Sequence, residues 1–291
     1  MTLFNLGSIN ADHVYQVPHF PSPGETLAAT EFAVGLGGKG TNQSVAAARA
    51  GAKTYHIGAV GPEGVWARDK LEELGVDVTH VSQIETPTGH AIINVDKQGE
   101  NSIVLFPGAN FAMEQADIAR ALDQGGEGDT LLLQNETAHQ AFAAKYARNR
   151  GMQVIYSAAP FSIEAVREVL PFVTMLAMNQ IECEQLCAAL ETDIERLDVS
   201  ETLVTYGAEG AEWRGDGTVR RVDSFKVSVV DTTAAGDTFA GYFAAMRDLG
   251  EEVQTALKLA SAAAAVKVTR AGAAEVIPSR EEVDAFLSRR A

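Results

Sequence analysis

Long hydrophobic runs are missing from this sequence: no stretch approaches the ~18 consecutive apolar residues that a membrane-spanning helix needs. Basic residues are scarce as well, 23 Lys and Arg against 39 Asp and Glu, for a formal net charge of −16. A nucleic-acid surface needs a basic stripe to release phosphate counterions, so the balance argues against that class of partner. Phosphate-bearing small ligands remain open, because backbone N–H groups, one or two Lys or Arg and a metal ion suffice to hold them. Cysteine is nearly absent. Cys183 and Cys187 stand four apart in IECEQLCAAL, an expected helix, and the six histidines (His13, His19, His56, His80, His90, His139) show no ligand spacing. The two thiols therefore read as small buried side chains in a reducing compartment rather than as a metal or redox site. The opening MTLFNLGSIN has no basic n-region and no cleavage site, so no signal peptide is expected and a cytoplasmic location is. Neither a repeat of about 20–50 residues nor a low-complexity linker is present.

What is present is a soluble composition, 46% hydrophobic and 21% charged over 291 residues, in two alternating textures. In the main one, short apolar runs (LFNLGSI, TYHIGAV, TLLLQN, QVIYSA, TMLAMN, TLVTYG) alternate with helical stretches at 63–74, 137–150, 162–169 and 180–190. The runs are nearly continuous, as in strands buried on both faces. The expectation is an α/β fold, a Rossmann-like, mostly parallel sheet sandwiched by helices. The second texture interrupts the first at residues 13–36 and 86–107, where apolar and polar residues alternate around turn signals at Pro-Ser-Pro-Gly and Lys97-Gln98-Gly99. These two hairpin-like pieces are expected to meet in a small half-exposed sheet, a lid or a dimer surface. The C-terminal part is helical over 234–248 and 252–268, and Ser279-x-x-Glu282 is a capping box.

Two glycine-containing motifs carry the chemistry. Gly35-Leu36-Gly37-Gly38-Lys39-Gly40 formally matches G-x-G-x-x-G, but it does not follow the first strand. The acid that grips a ribose at the end of the second strand of a dinucleotide fold is also missing, since that strand ends Gly58-Ala59-Val60-Gly61. No Walker A frame surrounds Lys39. What remains, GGKGTNQSVAAARAGA, is a glycine turn opening into an Ala-rich helix, either tight strand–helix packing or a place for close backbone approach with Lys39 and Asn42 as its polar groups. The other motif is DTTAAGDTF, residues 231–239, after an apolar alternating stretch Phe225–Val230 read as a strand and before a helix. Asp237 is either a first-turn acid complementing the helix dipole or a general base. The N–H groups of Ala234, Ala235 and Gly236 lie where an anion would bind, and Ala234 is tolerable there if its φ is negative.

With both motifs in view, the chain resembles the ribokinase-like (PfkB) carbohydrate kinases essentially end to end. The resemblance includes GSINADHVYQV…FPSPGET, GGKGTNQSVAAARAGA, PGAN (107–110), Asn179-Gln180-Ile181-Glu182, Thr205-Tyr206-Gly207-Ala208-Glu209-Gly210, DTTAAGDTF and AAAAVKVTRAGA. It implies a single kinase domain over 1–291 with the lid at 13–36 and 86–107 inserted in it. It also implies a homodimer contact through that lid and transfer of the ATP γ-phosphoryl group to a sugar's primary hydroxyl with Mg²⁺ and a monovalent cation, K⁺. A pentose, D-ribose, leads as acceptor; the alternatives are another small polyol (a deoxyribose, fructose, a sugar acid or a nucleoside) or a non-catalytic regulator.

Carried over by position, the resemblance makes Asp237 the base and Ala234, Ala235 and Gly236 the anion hole. Asn10, Asp12, Gly38, Lys39, Asn42 and Glu136 become the sugar contacts, joined by Asp237. Asn179, Thr205, Gly207, Gly210 and Ser261 contact the nucleotide. Asn179 and Glu182 organise Mg²⁺ through waters, although Asn179 can also be read as a helix N-cap. Asp231, with the carbonyls of Thr233, Lys267, Arg270 and Gly272, would surround K⁺. Three positions depart from the pattern: Ser261 where an Asn is common, Val276 where a hydroxyl is common, and a short segment ETDIERLDVSE before TLVTYG.

Overall fold

In the computed structural model, which describes residues 1–290, the strands fall into two sheets. In chain order they are β1 (Thr2–Leu6), β2 (Asn10–Gln16), β3 (Glu31–Gly37), β4 (Lys53–Val60), β5 (Asp77–Gln83), β6 (Gly89–Val95) and β7 (Asn101–Phe106). There follow β8 (Thr130–Gln134), β9 (Gln153–Ser157), β10 (Met175–Asn179), β11 (Glu201–Thr205), β12 (Ala211–Gly215) and β13 (Thr218–Val222). The helices are α1 (Lys39–Arg49), α2 (Val65–Glu73), α3 (Gln115–Leu122), α4 (Gln140–Asn149), α5 (Ile163–Val169), α6 (Gln180–Leu190), α7 (Ala235–Asp248), α8 (Val253–Lys267) and α9 (Arg280–Ser288).

The main sheet runs β13-β12-β11-β10-β9-β8-β1-β4-β5, parallel from β11 to β5 and closed at one edge by the antiparallel β12–β13 hairpin. Alternation within one strand shows why these runs read as continuous apolar stretches: in β8, Leu132 packs into the layer of α1, α7 and α8, while Leu131 and Leu133 pack into the layer of α3, α4 and α5. Chain order reverses direction between β1 and β8. The crevice beyond their C-terminal ends is therefore the topological switch point, where open α/β sheets bind ligands. The small sheet, β3-β2-β6-β7, stands apart from the main one, with β2 and β6 joining the two pieces in parallel. Both of its edges are exposed, and Phe32, Val34, Ile103, Val104, Leu105 and Phe106 lie open along them.

Several local expectations change. Residues 225–230 pair with no strand: Phe225 and Val227 tuck against the core as single side chains while Val229 and Val230 are exposed. Period-two apolarity here marks an extended segment lying on α8 rather than a ladder. The strands β5, β12 and β13 and the helix α3 were not expected; β5 and β13 are the two edges of the sheet, where strands carry too much polar sequence to stand out, and β12 is the inner arm of the short hairpin that ends in β13. Pro62–Gly64 form one 3₁₀ turn before α2, and α4 starts three residues later than its pattern suggests. Cys183 and Cys187 are half-buried on α6 rather than buried, and burial pushes the Cys183 thiol up to about 12, so it is inert at neutral pH. The Ser279 capping box forms as expected. No helix among the described residues is long and apolar enough to cross a membrane.

One buried acid works against the fold. Asp248, the last residue of α7, is 2% exposed, and neither carboxylate oxygen has a hydrogen-bond partner. Burial raises its pKa from 3.8 to about 6, so the folded chain holds this proton more tightly than the unfolded chain does. The stability contributed by Asp248 is complete below pH 3.8 and is lost as pH rises through about 6. Asp248→Asn should raise Tm at pH 8 by about 3–8 °C, for about 1–3 kcal/mol, and leave Tm at pH 4 nearly unchanged. Calorimetric scans at the two pH values check the difference.

Candidate active site

The glycine turn before α1 sets the first wall. Gly38 caps α1 at φ 98, a conformation that side chains disfavour, and a Cβ on Gly40 would sit 2.2 Å from the Ser8 backbone nitrogen. The helix thus starts in contact with the end of β1. Its first two turns then point Lys39, Asn42 and Gln43 into the switch-point crevice. On the facing helix α7, Asp237 is 9% exposed. Its Oδ2 accepts from Asn42 Nδ2 at 2.9 Å and its Oδ1 from Gln43 Nε2 at 3.0 Å.

Gln43 was not anticipated from the sequence, nor was the buried network behind it. Gln134 Nε2 donates both to Gln43 Oε1 (2.8 Å) and to Asn5 Oδ1 (2.9 Å). Asn5 Nδ2 donates to Ser44 Oγ at 2.7 Å, and Ser44 lies 2.8 Å from His56 Nδ1. Burial lowers the pKa of His56 to about 4, so its ring is neutral at pH 7. Its Nε2 donates to the Gly7 carbonyl at 3.0 Å, which leaves Nδ1 to accept from Ser44. Each amide is held in one orientation, with Gln43 offering its N–H groups to Asp237. The only sequence signal was the pair Asn42-Gln43 itself, since helical spacing cannot show which of two adjacent amides turns inward.

Asn10 and Asp12 project from β2 and Glu136 follows β8, so both sides of the switch point contribute. Asn10 Oδ1 accepts from Asn110 Nδ2 at 2.8 Å, and Asn110 is anchored to the Ile9 backbone, so the Asn10 amide nitrogen is the free end. Glu136 Oε2 accepts from Ser8 Oγ at 2.5 Å and from the Lys39 backbone N–H at 3.0 Å. Burial, and then the Glu136 carboxylate, raise the pKa of Asp12 to about 6. The Lys39 ammonium lies near three carboxylates, and Asp237, followed by Glu136 and Glu182, raises its pKa. Asn42 Oδ1 is buried without a partner. A wall of carboxylates, amides and one ammonium offers both acceptors and donors to a polyol.

Next to this wall, a cavity of about 180 Å³ is lined by Lys39, Asn179, Glu182, Thr205, Gly236 and Asp237. It adjoins a groove of about 560 Å³, and Thr205, Thr232, Ala235, Gly236 and Phe239 line both. The groove is mostly apolar, with Phe225, Val227, Ala264 and Val268 on its walls, and Gly207, Gly210 and Ser261 line it as well. The Ser261 hydroxyl is committed to the Asp223 carbonyl at 3.1 Å. At the cavity, Asn179 and Glu182 form a reciprocal capping box on α6: Asn179 Oδ1 accepts from the Glu182 N–H and Glu182 Oε2 from the Asn179 N–H. Glu182 Oε1 takes no protein donor, and burial raises the pKa of this carboxylate.

The three amides assigned to an anion hole differ in their partners. Ala235 N–H donates to the Thr232 carbonyl at 3.1 Å, whereas the N–H groups of Ala234, Gly236 and Asp237 take no acceptor in the protein. Ala234 caps α7 at φ 57, not at the negative φ anticipated for a side-chain-bearing residue. A left-handed alanine costs about 1 kcal/mol, and the conformation turns the chain so that the following amides face the cavity. Behind this turn, Asp231 Oδ1 accepts from Thr233 N–H (2.8 Å) and Oδ2 from Gly272 N–H (2.9 Å).

A pfkB family carbohydrate kinase model matches residues 2–280. A ribokinase of Haemophilus influenzae is 37% identical over 98% of this chain and 98% of its own. The structure of a Thermotoga maritima ribokinase superposes with a TM-score of 0.89 at 34% identity, covering 99% of each chain. That of an Arabidopsis thaliana ribokinase complexed with ribose and ATP superposes with a TM-score of 0.87 at 30% identity and 98% coverage of each. The fold, the switch-point crevice and these matches agree, and the chain belongs to the pfkB family of carbohydrate kinases.

Proposed function

We propose that this chain transfers the ATP γ-phosphoryl group to the primary hydroxyl of D-ribose, giving D-ribose 5-phosphate, with Asp237 as the general base. One observation carries this reading: Asp237 stands between a polyol-type wall and an anion cavity, aimed by two amide donors. A sugar held by Asn10, Asp12, Asn42 and Glu136 brings its CH₂OH to the free edge of the Asp237 carboxylate, which takes the proton as the new O–P bond forms. The unpaired N–H groups at the start of α7 face the charge that builds on the transferred group, and Lys39 supports them from across the cavity. The apolar groove fits an adenine, with Gly207 and Gly210 allowing the nucleotide close to the backbone.

Among the described residues no group of three or more acidic, His or Cys side chains is placed to hold a metal, which suits Mg²⁺ better than a fully caged ion. Glu182 Oε1 and the adjacent Asn179 would hold its water shell, and the ion would supply neutralisation of phosphate charge when bound. The small sheet, inserted in one kinase domain, serves as the lid over the sugar and as the contact with a second copy. Its exposed Phe32, Val104 and Phe106 would be covered in such a dimer. As an ATP-consuming enzyme with two unpaired thiols, the protein acts in the cytoplasm.

ADP release measured across pentoses, deoxyribose, hexoses, sugar acids and nucleosides should rank D-ribose first by kcat/KM. A better nucleoside or hexose moves the acceptor, and no turnover at all overturns the kinase reading. Asp237→Asn should lower kcat by at least ~10² with ribose binding largely retained, the loss expected for a positioned base; near-normal kcat removes Asp237 from that role. Asp12 must be ionised to accept from sugar hydroxyls, so KM for ribose should rise as pH falls below about 6. Asp12→Asn should flatten that dependence and raise KM by about 10-fold or more across the range, which steady-state kinetics from pH 5 to 8 would read.

A further inference from the structure

Lys267, at the C-terminal end of α8, is fully buried in a chain whose other charges lie mostly at the surface. A buried ammonium needs oxygen partners, and this one has them in the turn that leads into α7. Its Nζ donates to the Asp231 carbonyl at 3.1 Å and lies 3.9 Å from Asp231 Oδ2. The same carboxylate is the one side-chain ligand in the K⁺ set that the family resemblance implies. That set does not fit a free cation here. Both Asp231 oxygens already accept backbone N–H groups, from Thr233 and Gly272. The Lys267 carbonyl accepts from Arg270 N–H at 3.0 Å. Val276 offers two methyl groups, 3.7 Å from where a Cβ on Gly272 would stand, in place of a hydroxyl. A positive charge is already present, covalently attached and in contact with the turn.

We propose that the Lys267 ammonium is the built-in monovalent cation of this kinase, so that phosphoryl transfer needs no inorganic K⁺. This inference rests on the kinase reading. The charge neutralises Asp231, and its bond to the Asp231 carbonyl ties α8 to the Asp231–Thr233 turn. That turn sets Ala234 in its left-handed conformation and thereby aims the Gly236 and Asp237 N–H groups. Lys267 is a positioning residue: it touches the loop, not the substrate.

The first test titrates KCl into wild-type enzyme at constant ionic strength, with tetramethylammonium chloride as the balancing salt. The expected result is less than a twofold change in kcat and in KM for ATP; saturable activation of several-fold by K⁺ would overturn the inference and leave the kinase reading intact. The second compares thermal unfolding in the two salts, which needs no turnover. Wild type should show no K⁺-specific shift, and a K⁺-specific rise in its Tm would also overturn the inference, even if no sugar is phosphorylated. Lys267→Met leaves Asp231 uncompensated and should lower kcat by about 10-fold or more, with partial recovery in KCl or NH₄Cl but not in tetramethylammonium chloride. Loss of activity without any cation-specific recovery would assign Lys267 to folding alone. Where that variant does not fold, the two wild-type titrations decide the question.

Discussion

The contact between α1 and α7 is the constraint on which the site depends, and its centre is the Asp237 carboxylate held by Asn42 and Gln43. Each helix is placed by a small-residue turn: Gly38 and Gly40 press the start of α1 against β1, and left-handed Ala234 starts α7. A shift of α1 by one residue would carry both amides away from the acid. The buried chain from Gln134 through Asn5 and Ser44 to neutral His56 opposes such a shift, because every amide in it has one permitted orientation. The position of the Asp237 carboxylate is therefore set by polar groups in the core, at the level of the sheet, and not by the loops around the crevice.

The electrostatics follow the same economy. A chain with a net charge of −16 would repel ATP if its surface charge were spread over the crevice. Instead, Lys39 is placed inside it, near Asp237, Glu136 and Glu182, and Lys267 is buried behind it, beneath the turn of Asp231. Unpaired N–H groups at the start of α7 do the rest at short range, where a small number of fixed dipoles outweighs a distant field.

The parallel sheet was legible because its strands are buried on both faces and so read as unbroken apolar runs, while the small sheet was legible because its strands alternate. Period-two apolarity misled at Phe225–Val230, where a lone extended segment lies on a helix with nothing to pair with. β12 and β13 escaped because an edge hairpin rich in Arg and Glu has no apolar signature. For the site, Asp237 and the glycine turn stood out by composition and position, and the resemblance supplied the sugar-wall positions. Three features did not stand out, each for a geometric reason. The inward turn of Gln43 depends on helix phase relative to α7, and the sign of φ at Ala234 depends on how the turn closes. Lys267 reads as one more basic residue at a helix end, yet its side chain is the most buried charge near the site.

In the proposed reaction Asp237 meets the acceptor hydroxyl in line with the γ-phosphate. A crystal structure with D-ribose and a non-hydrolysable ATP analogue tests it most directly. The ribose primary hydroxyl should lie within ~3 Å of an Asp237 carboxylate oxygen and face the γ-phosphorus, with the Asn42 and Gln43 bonds in place. A hydroxyl bonded to another side chain, with Asp237 turned away from both ligands, would contradict it.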